Sequence, residues 1–227
     1  MGQDIAVETR GLTKIYMSGM TELHALDNVS LKVKKGDVVS IMGPSGSGKS
    51  TLMNLIGCLD RPSQGTIMLD GEDITSYNDN QLAEIRGKKI GFVFQTFNLI
   101  SSMTAQKNVE LPMIFRNIDK NSRAKRARFL LQNLDLEKWY SHYPSELSGG
   151  QQQRVAIARS LANNPPIILA DEPTGNLDTN TGEKVMELLT SFSAEKKTIL
   201  LVTHDSSLKK YADRVIILRD GKISAEQ

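Results

Sequence analysis

The sequence predicts an α/β fold: a mostly parallel sheet core, an N-terminal antiparallel β subdomain and an inserted α-helical lobe. Three observations carry that expectation. The first third of the chain reads as strands and turns. The last third alternates short apolar strands with helices, and the middle, from about residue 97 to 161, changes to helical periodicity. With 227 residues, 39% of them hydrophobic, the chain can bury a sizeable core as a single domain. The expected division places the sheet core with its β subdomain at about 1–96 and 162–227, and the lobe at about 97–161.

The elements follow in order. "IAVETRGLTKIY" and "VSLKVKKGDVVSIMG" are β-rich and alternate in part. Over 37–42 a β-branched run leads directly into a glycine-rich turn. A helix is expected after it, over about 49–59, stopped by "DRPSQG". "TIMLDGEDI" places an Asp70-Gly71 turn between short apolar arms, which signals a hairpin. In the middle, "NSRAKRARFLLQNLDL" is a helix with Asn121 or Ser122 as its cap, and Ala127, Leu130, Leu131 and Leu134 fall at helical spacing. Its basic cluster, 123–128, reads as a solvated helix face. "SELSGGQQQRVAIARS" starts another helix, with Val155, Ala158, Leu161 and Ala162 on one face, a polar face at Gln152 and Gln153, and Pro165 and Pro166 beyond its end. "IILA" is a buried strand, "TGEKVMELLTSF" a helix, "TILLVT" a strand, and "DRVIILRDGKI" a hairpin turning at Asp220-Gly221.

Composition narrows the function classes. A net charge of +2, from 28 basic and 26 acidic residues, argues against a dedicated nucleic-acid binder. Cys58 is the single cysteine, so an intrachain disulfide and a thiolate zinc cluster are both excluded, and a reducing compartment fits. Its apolar setting points to inert burial. No apolar run approaches the roughly 18 residues of a spanning helix, and the N-terminus has no apolar signal core. The chain begins Met-Gly, but Ala6 stands where a myristoylation motif takes Ser or Thr. The expectation is a soluble chain whose membrane role, if it has one, comes through a partner.

The chemistry sits in short motifs. "GPSGSGKST" (Gly43, Pro44, Ser45, Gly46, Ser47, Gly48, Lys49, Ser50, Thr51) fits G-x-x-x-x-G-K-[ST] between a strand and a helix. The glycines let the backbone curl so that successive N–H groups face phosphate oxygens. Lys49 can reach β- and γ-phosphates, and the Ser50 hydroxyl can ligate Mg²⁺. These residues predict a P-loop NTPase core. Such a loop needs an acid on a neighbouring strand, and "IILADEPTG" supplies Asp171 for the metal and Glu172, one residue on, to polarise water. In "LLVTHD", His204 follows another apolar strand and should emerge at the same sheet edge, within reach of a γ-phosphate. "LSGGQ" poses a different problem. It is a second glycine-rich helix start, and one nucleotide does not need two of them from one chain. Ser148 can cap the helix or donate to phosphate, and Gly149 and Gly150 allow close approach of backbone N–H groups.

With these parts assembled, the chain resembles the nucleotide-binding subunit of an ABC transporter, over nearly its whole length and with the motifs in that family's order. "LSGGQ" (147–151) resembles the family signature, Gln95 in "FVFQTFNL" the Q-loop glutamine, "GNLD" ending at Asp178 the D-loop, and His204 the switch histidine. Tyr16 in "LTKIY" resembles the aromatic that stacks on adenine. "GCLDRPSQG", "NVELPMIF" and "NNPPIILADEPTGNLD" are similar to the macrolide-exporter and lipoprotein-release (MacB- and LolD-like) group. The resemblance implies ATP and Mg²⁺, with Ser50, Gln95 and Asp171 around the metal, Glu172 activating water, and Lys49 and His204 stabilising the transferred phosphoryl group. It implies a head-to-tail homodimer in which Ser148, Gly149, Gly150, Gln151 and Asp178 of the second copy complete each site. It further implies a permease with four transmembrane helices per protomer, with a periplasmic or extracellular adaptor as an optional partner. The chain itself would be cytoplasmic and peripherally attached to the cell membrane, either as a separate subunit or as one domain of a longer protein. The alternative is a non-transport ABC ATPase acting on nucleic acid or ribosomes. That class usually adds coiled-coil arms or a second set of motifs, and the sequence offers neither. For a cytoplasmic helix of the permease, the segment with Phe97, Leu99, Ile100 and Met103 is either a docking groove or part of the lobe's own core.

Overall fold

The computed structural model describes residues 4–19 and 21–227. Strands β1 (Ile5–Ser18) and β2 (Thr21–Lys34) form a long antiparallel pair, and β3 (Val38–Met42) leads through the glycine-rich loop into α1 (Lys49–Ile56). Strands β4 (Gln64–Leu69) and β5 (Glu72–Asp73) come next, joined at the expected Asp70-Gly71 turn, then α2 (Asp79–Lys89) and β6 (Ile90–Phe94). Helices α3 (Ala105–Ile114), α4 (Lys120–Asn133) and α5 (Gly149–Ser160) precede β7 (Ile167–Asp171). The chain closes with α6 (Thr179–Ser191), β8 (Thr198–Thr203), β9 (Arg214–Arg219) and β10 (Lys222–Glu226).

Two sheets result. A four-stranded antiparallel sheet has the order β2-β1-β4-β5, and a six-stranded sheet has the order β10-β9-β3-β8-β7-β6. Within the second sheet only the β9–β10 hairpin is antiparallel. Its register positions the site: Met42 pairs with Thr203, Asp171 with Val202, and Phe94 with Asp171. The carboxyl ends of β3, β6, β7 and β8 therefore finish together, and the loops that leave these strands emerge at one edge.

The central strands are buried on both faces, which explains their unbroken apolar runs. Alternate residues serve two cores. Val39, Ile41, Leu169, Leu200 and Val202 join the antiparallel sheet, α1 and α2 in the first. Val38, Ile168, Ala170, Ile199 and Leu201 join α3, α4, α5 and α6 in the second. The helices inserted between β6 and β7 thus pack on the same apolar body as the sheet.

Several local expectations change. Helix α1 ends at Ile56, not near residue 59, because Gly57 takes the cap and Cys58 sits at φ 57. The cap of α4 is Asp119, ahead of the expected Asn121 or Ser122. Its carboxylate accepts both of their N–H groups at 3.0 Å, and an anion suits a helix start. The basic cluster is not a freely solvated face. Arg123 and Arg126 donate to the carbonyls of Ile118 and Leu161, and Arg128 to Gln106. Gln153 is fully buried rather than part of a polar face, and its amide donates to the Pro173 carbonyl at 2.5 Å. Helix α2 buries only Leu82 and Ile85, too little for a periodic signal, and α3 carries Pro112 inside it, against the usual reading of proline.

Cys58 is buried, and burial pushes its thiol up to about 11. An aromatic disulfide reagent at pH 8 is expected to leave the native thiol unmodified on a timescale on which the unfolded chain reacts fully. Comparable rates with and without denaturant would contradict that burial.

Candidate nucleotide site

A cleft of about 730 Å³ opens at the shared strand edge, and its wall runs from Tyr16 along the loop 44–51 to Asp171, Glu172 and His204. The loop's shape depends on Gly48. It stands at φ 98 as the N-terminal cap of α1, and a Cβ there would collide with the Ala25 carbonyl. The first N–H groups of α1 have no helical partner, and Lys49, Ser50 and Thr51 that carry them line the cleft, so the loop and the helix start suit an anion. Lys49 is buried, and its ammonium donates to the carbonyls of Gly43 (2.9 Å) and Pro44 (2.8 Å) across the loop. A triphosphate offers that ammonium stronger, charged acceptors.

The acids that end β7 have different environments. Burial and the charge of Glu172 raise the Asp171 pKa, against the opposing pull of Lys49. The positive charge near Asp171 is therefore too little to offset its burial. Glu172 sits in the left-handed region at φ 46, an uncommon conformation for a residue with a side chain. Its carboxylate is held by three contacts. The Thr203 hydroxyl donates to Oε2 at 2.9 Å, the His204 N–H donates to Oε1 at 3.0 Å, and His204 Nδ1 lies 2.6 Å from Oε1. The glutamate is thus aimed before any ligand arrives. Nothing in the sequence marked Thr203 for this, although a hydroxyl one residue before the strand-end histidine is a readable signal.

The residues fit a magnesium ion. Ser50 and Asp171 share the cleft wall and are hard oxygen donors, and the raised Asp171 pKa marks a carboxylate that a cation would stabilise. Among the described residues no cluster of His, Cys, Asp or Glu could hold a metal alone. Such an ion would complete its shell with phosphate and water.

Other predicted residues fall in less obvious places. Gln95 follows β6 beside the cleft but is not part of its wall. Its side chain lies over Gly175, where a Cβ would sit 2.6 Å from Nε2. Tyr16 does form part of the wall, and its phenol donates to Asp60 at 2.8 Å. Leu23, His24 and Ala25 of β2 line the cleft as well. They belong to no motif, and only the β1–β2 register, with Tyr16 opposite Leu23, brings them there.

The "LSGGQ" helix start faces a different cavity, of about 630 Å³, lined by Ser148, Gly149, Gly150, Asn176 and Asp178 among others. Ser148 forms a capping box: its hydroxyl accepts the Gln151 N–H at 3.3 Å, and Gln151 Oε1 accepts the Ser148 N–H at 2.8 Å. Gly150 has a packing role, because a Cβ there would lie 2.5 Å from Thr181 Cγ2 on α6. Asp178 caps α6 by accepting the Thr181 N–H at 3.0 Å, and hydrogen bonding to Thr181 holds its carboxyl below the usual range. The two cavities share no lining residue.

A third hollow, of about 940 Å³, is mostly apolar and lies between α2 with β6 and α3 with α5, with Phe92, Phe94, Leu111, Pro112 and Phe115 in its wall. Phe115 is 79% exposed. Of the segment with Phe97, Leu99, Ile100 and Met103, only Leu99 packs on the lobe's core, while Ile100 is exposed. The Asn108 amide is buried and binds the carbonyls of Ile100, Met103 and Thr104. Arg159 of α5 reaches the same segment through the Phe97 carbonyl at 2.7 Å.

Comparison with known proteins fits this geometry. The family model for ABC transporters matches residues 26–175. The ABC transporter ATP-binding protein MJ0796 of Methanocaldococcus jannaschii is 51% identical over 226 residues, covering 97% of this chain and 96% of that protein. A solved structure of MJ0796, dimeric and in a post-hydrolysis state bound to ADP and Pi, matches with a TM-score of 0.90 at 50% identity and covers 97% of each chain. The macrolide export ATP-binding/permease protein MacB of Vibrio parahaemolyticus is 45% identical over 223 residues, which span 98% of this chain but 34% of that larger protein.

Proposed function

The chain belongs to the ABC transporter family, as one of its ATP-binding and ATP-hydrolysing cassettes, and from there we propose that two copies close head to tail over two ATP molecules to drive a MacB- or LolD-type permease. One observation carries this reading: the phosphate cradle and the signature helix start line separate cavities in one chain. Each is half of a phosphate site, and a second copy supplies the missing half of both. The relatives are transporter components, one of them fused to its permease, which favours transport over action on nucleic acid.

In this reading the loop 43–51 holds the phosphates, with Lys49 moving from its carbonyl partners to the β- and γ-phosphates. Ser50 and Asp171 would hold Mg²⁺, with Gln95 as a further ligand. When bound, that ion offsets charge on the phosphate oxygens. Glu172 orients and deprotonates the attacking water, and His204, bonded to the same carboxylate, faces the γ-phosphate. Ser148, Gly149, Gly150, Gln151 and Asp178 of the second copy close the far side. Hydrolysis removes the bridging phosphate, and the copies separate. Gln153 is suited to relay this change, since it ties the signature helix to Pro173, next to Glu172.

The helical lobe, residues 97–161, and the hollow beside it are on this reading the coupling region. The partner is a permease with four transmembrane helices per protomer, and its cytoplasmic helix lies against Phe115. An extracytoplasmic adaptor is compatible with such a permease. Among the described residues no helix is long and apolar enough to cross a membrane. The cassette would work on the cytoplasmic face of the cell membrane, held there by the permease. Phe115→Asp is expected to abolish co-purification with the permease from detergent extracts while ATPase activity stays within about twofold, because an exposed apolar contact is lost and nothing buried is disturbed. A complex that survives this change would place the partner elsewhere.

A further inference from the structure

We propose that Asp60 and Lys14 are positioning residues that pin the Tyr16 ring as the base platform of the nucleotide cleft. The proposal rests on the reading of Tyr16 as the base contact and adds what holds it there. A nucleotide anchored by its phosphates at the start of α1 leaves its base to lie along the rest of the cleft wall. Tyr16 lines that wall, 37% exposed, with Leu23 paired opposite it. An aromatic face stacks on a base whatever its hydrogen-bonding edge. The gain is larger when the ring is already held, because an unpinned side chain must be ordered on binding.

The pin is explicit. Asp60 Oδ2 accepts the Tyr16 hydroxyl at 2.8 Å, and Oδ1 accepts the Lys14 ammonium at 2.7 Å and the Arg61 N–H at 2.7 Å. The same ammonium donates to the Arg61 carbonyl at 2.8 Å and lies 4.8 Å from the centre of the Tyr16 ring. Burial works to raise the Asp60 pKa, but the bonds from Lys14, Tyr16 and Arg61 outweigh it and leave the carboxyl below its usual range, charged at neutral pH. A charged acceptor makes the stronger bond to the phenol. Lys14 touches the ring but is not part of the cleft wall, so the ring keeps an open side for the base.

Asp60 stands in the turn that ends the α1 segment, and the start of α1 is the phosphate cradle. The Thr51 side chain, in the first turn of α1, also acts on the Tyr16 phenol, so the ring is tied to the cradle's own helix segment at both Thr51 and Asp60. No local pattern signals this contact, since Lys14 and Asp60 are 46 residues apart and fall in two separate stretches of the sequence.

The test measures binding of Mg·ATP and of Mg·tripolyphosphate, a probe with no base, to the dimer-competent chain and its variants. Tyr16→Ala is expected to weaken ATP binding about fivefold to hundredfold, the scale of one base–aromatic stack. Tyr16→Phe and Asp60→Ala are each expected to weaken it about two- to tenfold, the scale of one lost hydrogen bond. Tripolyphosphate binding should be unchanged in all three, and Asp60→Ala should add nothing in the Tyr16→Phe background. Tyr16→Phe removes a single oxygen and keeps the question decidable if Asp60→Ala folds poorly. If Tyr16→Ala weakens ATP binding but Tyr16→Phe and Asp60→Ala do not, the pin is overturned and the platform survives. If Tyr16→Ala itself has no effect, the base-contact reading fails and the pin with it. Equal losses for ATP and tripolyphosphate in Asp60→Ala would make Asp60 a general prop of the loop, which also overturns the proposal.

Discussion

Glu172→Gln is expected to lower ATP turnover by about 10²- to 10⁴-fold, the usual contribution of a general base, while ATP still binds. The amide keeps the size of the carboxylate and can still accept the Thr203 hydroxyl or the His204 N–H, so the local fold should hold. What it loses is the ability to take a proton from water. With hydrolysis blocked and binding intact, the ATP-bound dimer should persist and run as a dimer in gel filtration with ATP and Mg²⁺. Phosphate release by the purified variant checks the first expectation, and the elution volume checks the second. Near-normal turnover would remove Glu172 from the role of base. In that case the φ of 46 and the clamp around its carboxylate would need another purpose.

Ser148→Arg is expected to abolish that dimer. Introduced into the Glu172→Gln background, it should leave the chain monomeric with ATP while single copies still bind the nucleotide, because the phosphate cradle shares no wall residue with the signature cavity. The substitution also removes the cap of α5, which costs about 1 kcal/mol. Ser148→Ala separates the two effects, since it loses the same cap without placing bulk and charge where the second copy must approach. A Ser148→Ala chain that dimerises beside a Ser148→Arg chain that does not would assign the block to the interface. A Ser148→Arg dimer formed with ATP would contradict the head-to-tail arrangement.

Much of the site was legible because its chemistry is local. The loop 43–51 needs its glycines, Lys49 and Ser50 within one strand–turn–helix unit, and the acids at 171–172 directly follow an apolar run. Short unbroken apolar runs placed β3, β7 and β8, and with them the shared edge. The signature stretch was readable as a phosphate-type helix start whose redundancy within one chain raised a question, and the resemblance to the family supplied the second copy as its answer. Other elements left weaker traces. Helix α2 buries too few residues to show a period, and α3 hides behind Pro112. The cap of α4 falls just outside the helical pattern, because any of several neighbouring polar residues can accept a turn of free N–H groups.

The residues proposed for phosphate, metal and water could be named from the primary structure, since they lie within short motifs whose local geometry is set by glycine, strand ends and helix starts. Which of them face one another is a property of the folded chain alone. Sheet register aligned Asp171, Thr203 and the loop after Met42, and packing buried Gln153 against Pro173 and turned Gly150 toward Thr181. Folding also carried Tyr16 to Asp60 and brought Phe92, Pro112 and Phe115 together around one apolar hollow. These are contacts between segments distant in sequence, fixed by strand order and packing, and a local reading has no term for them.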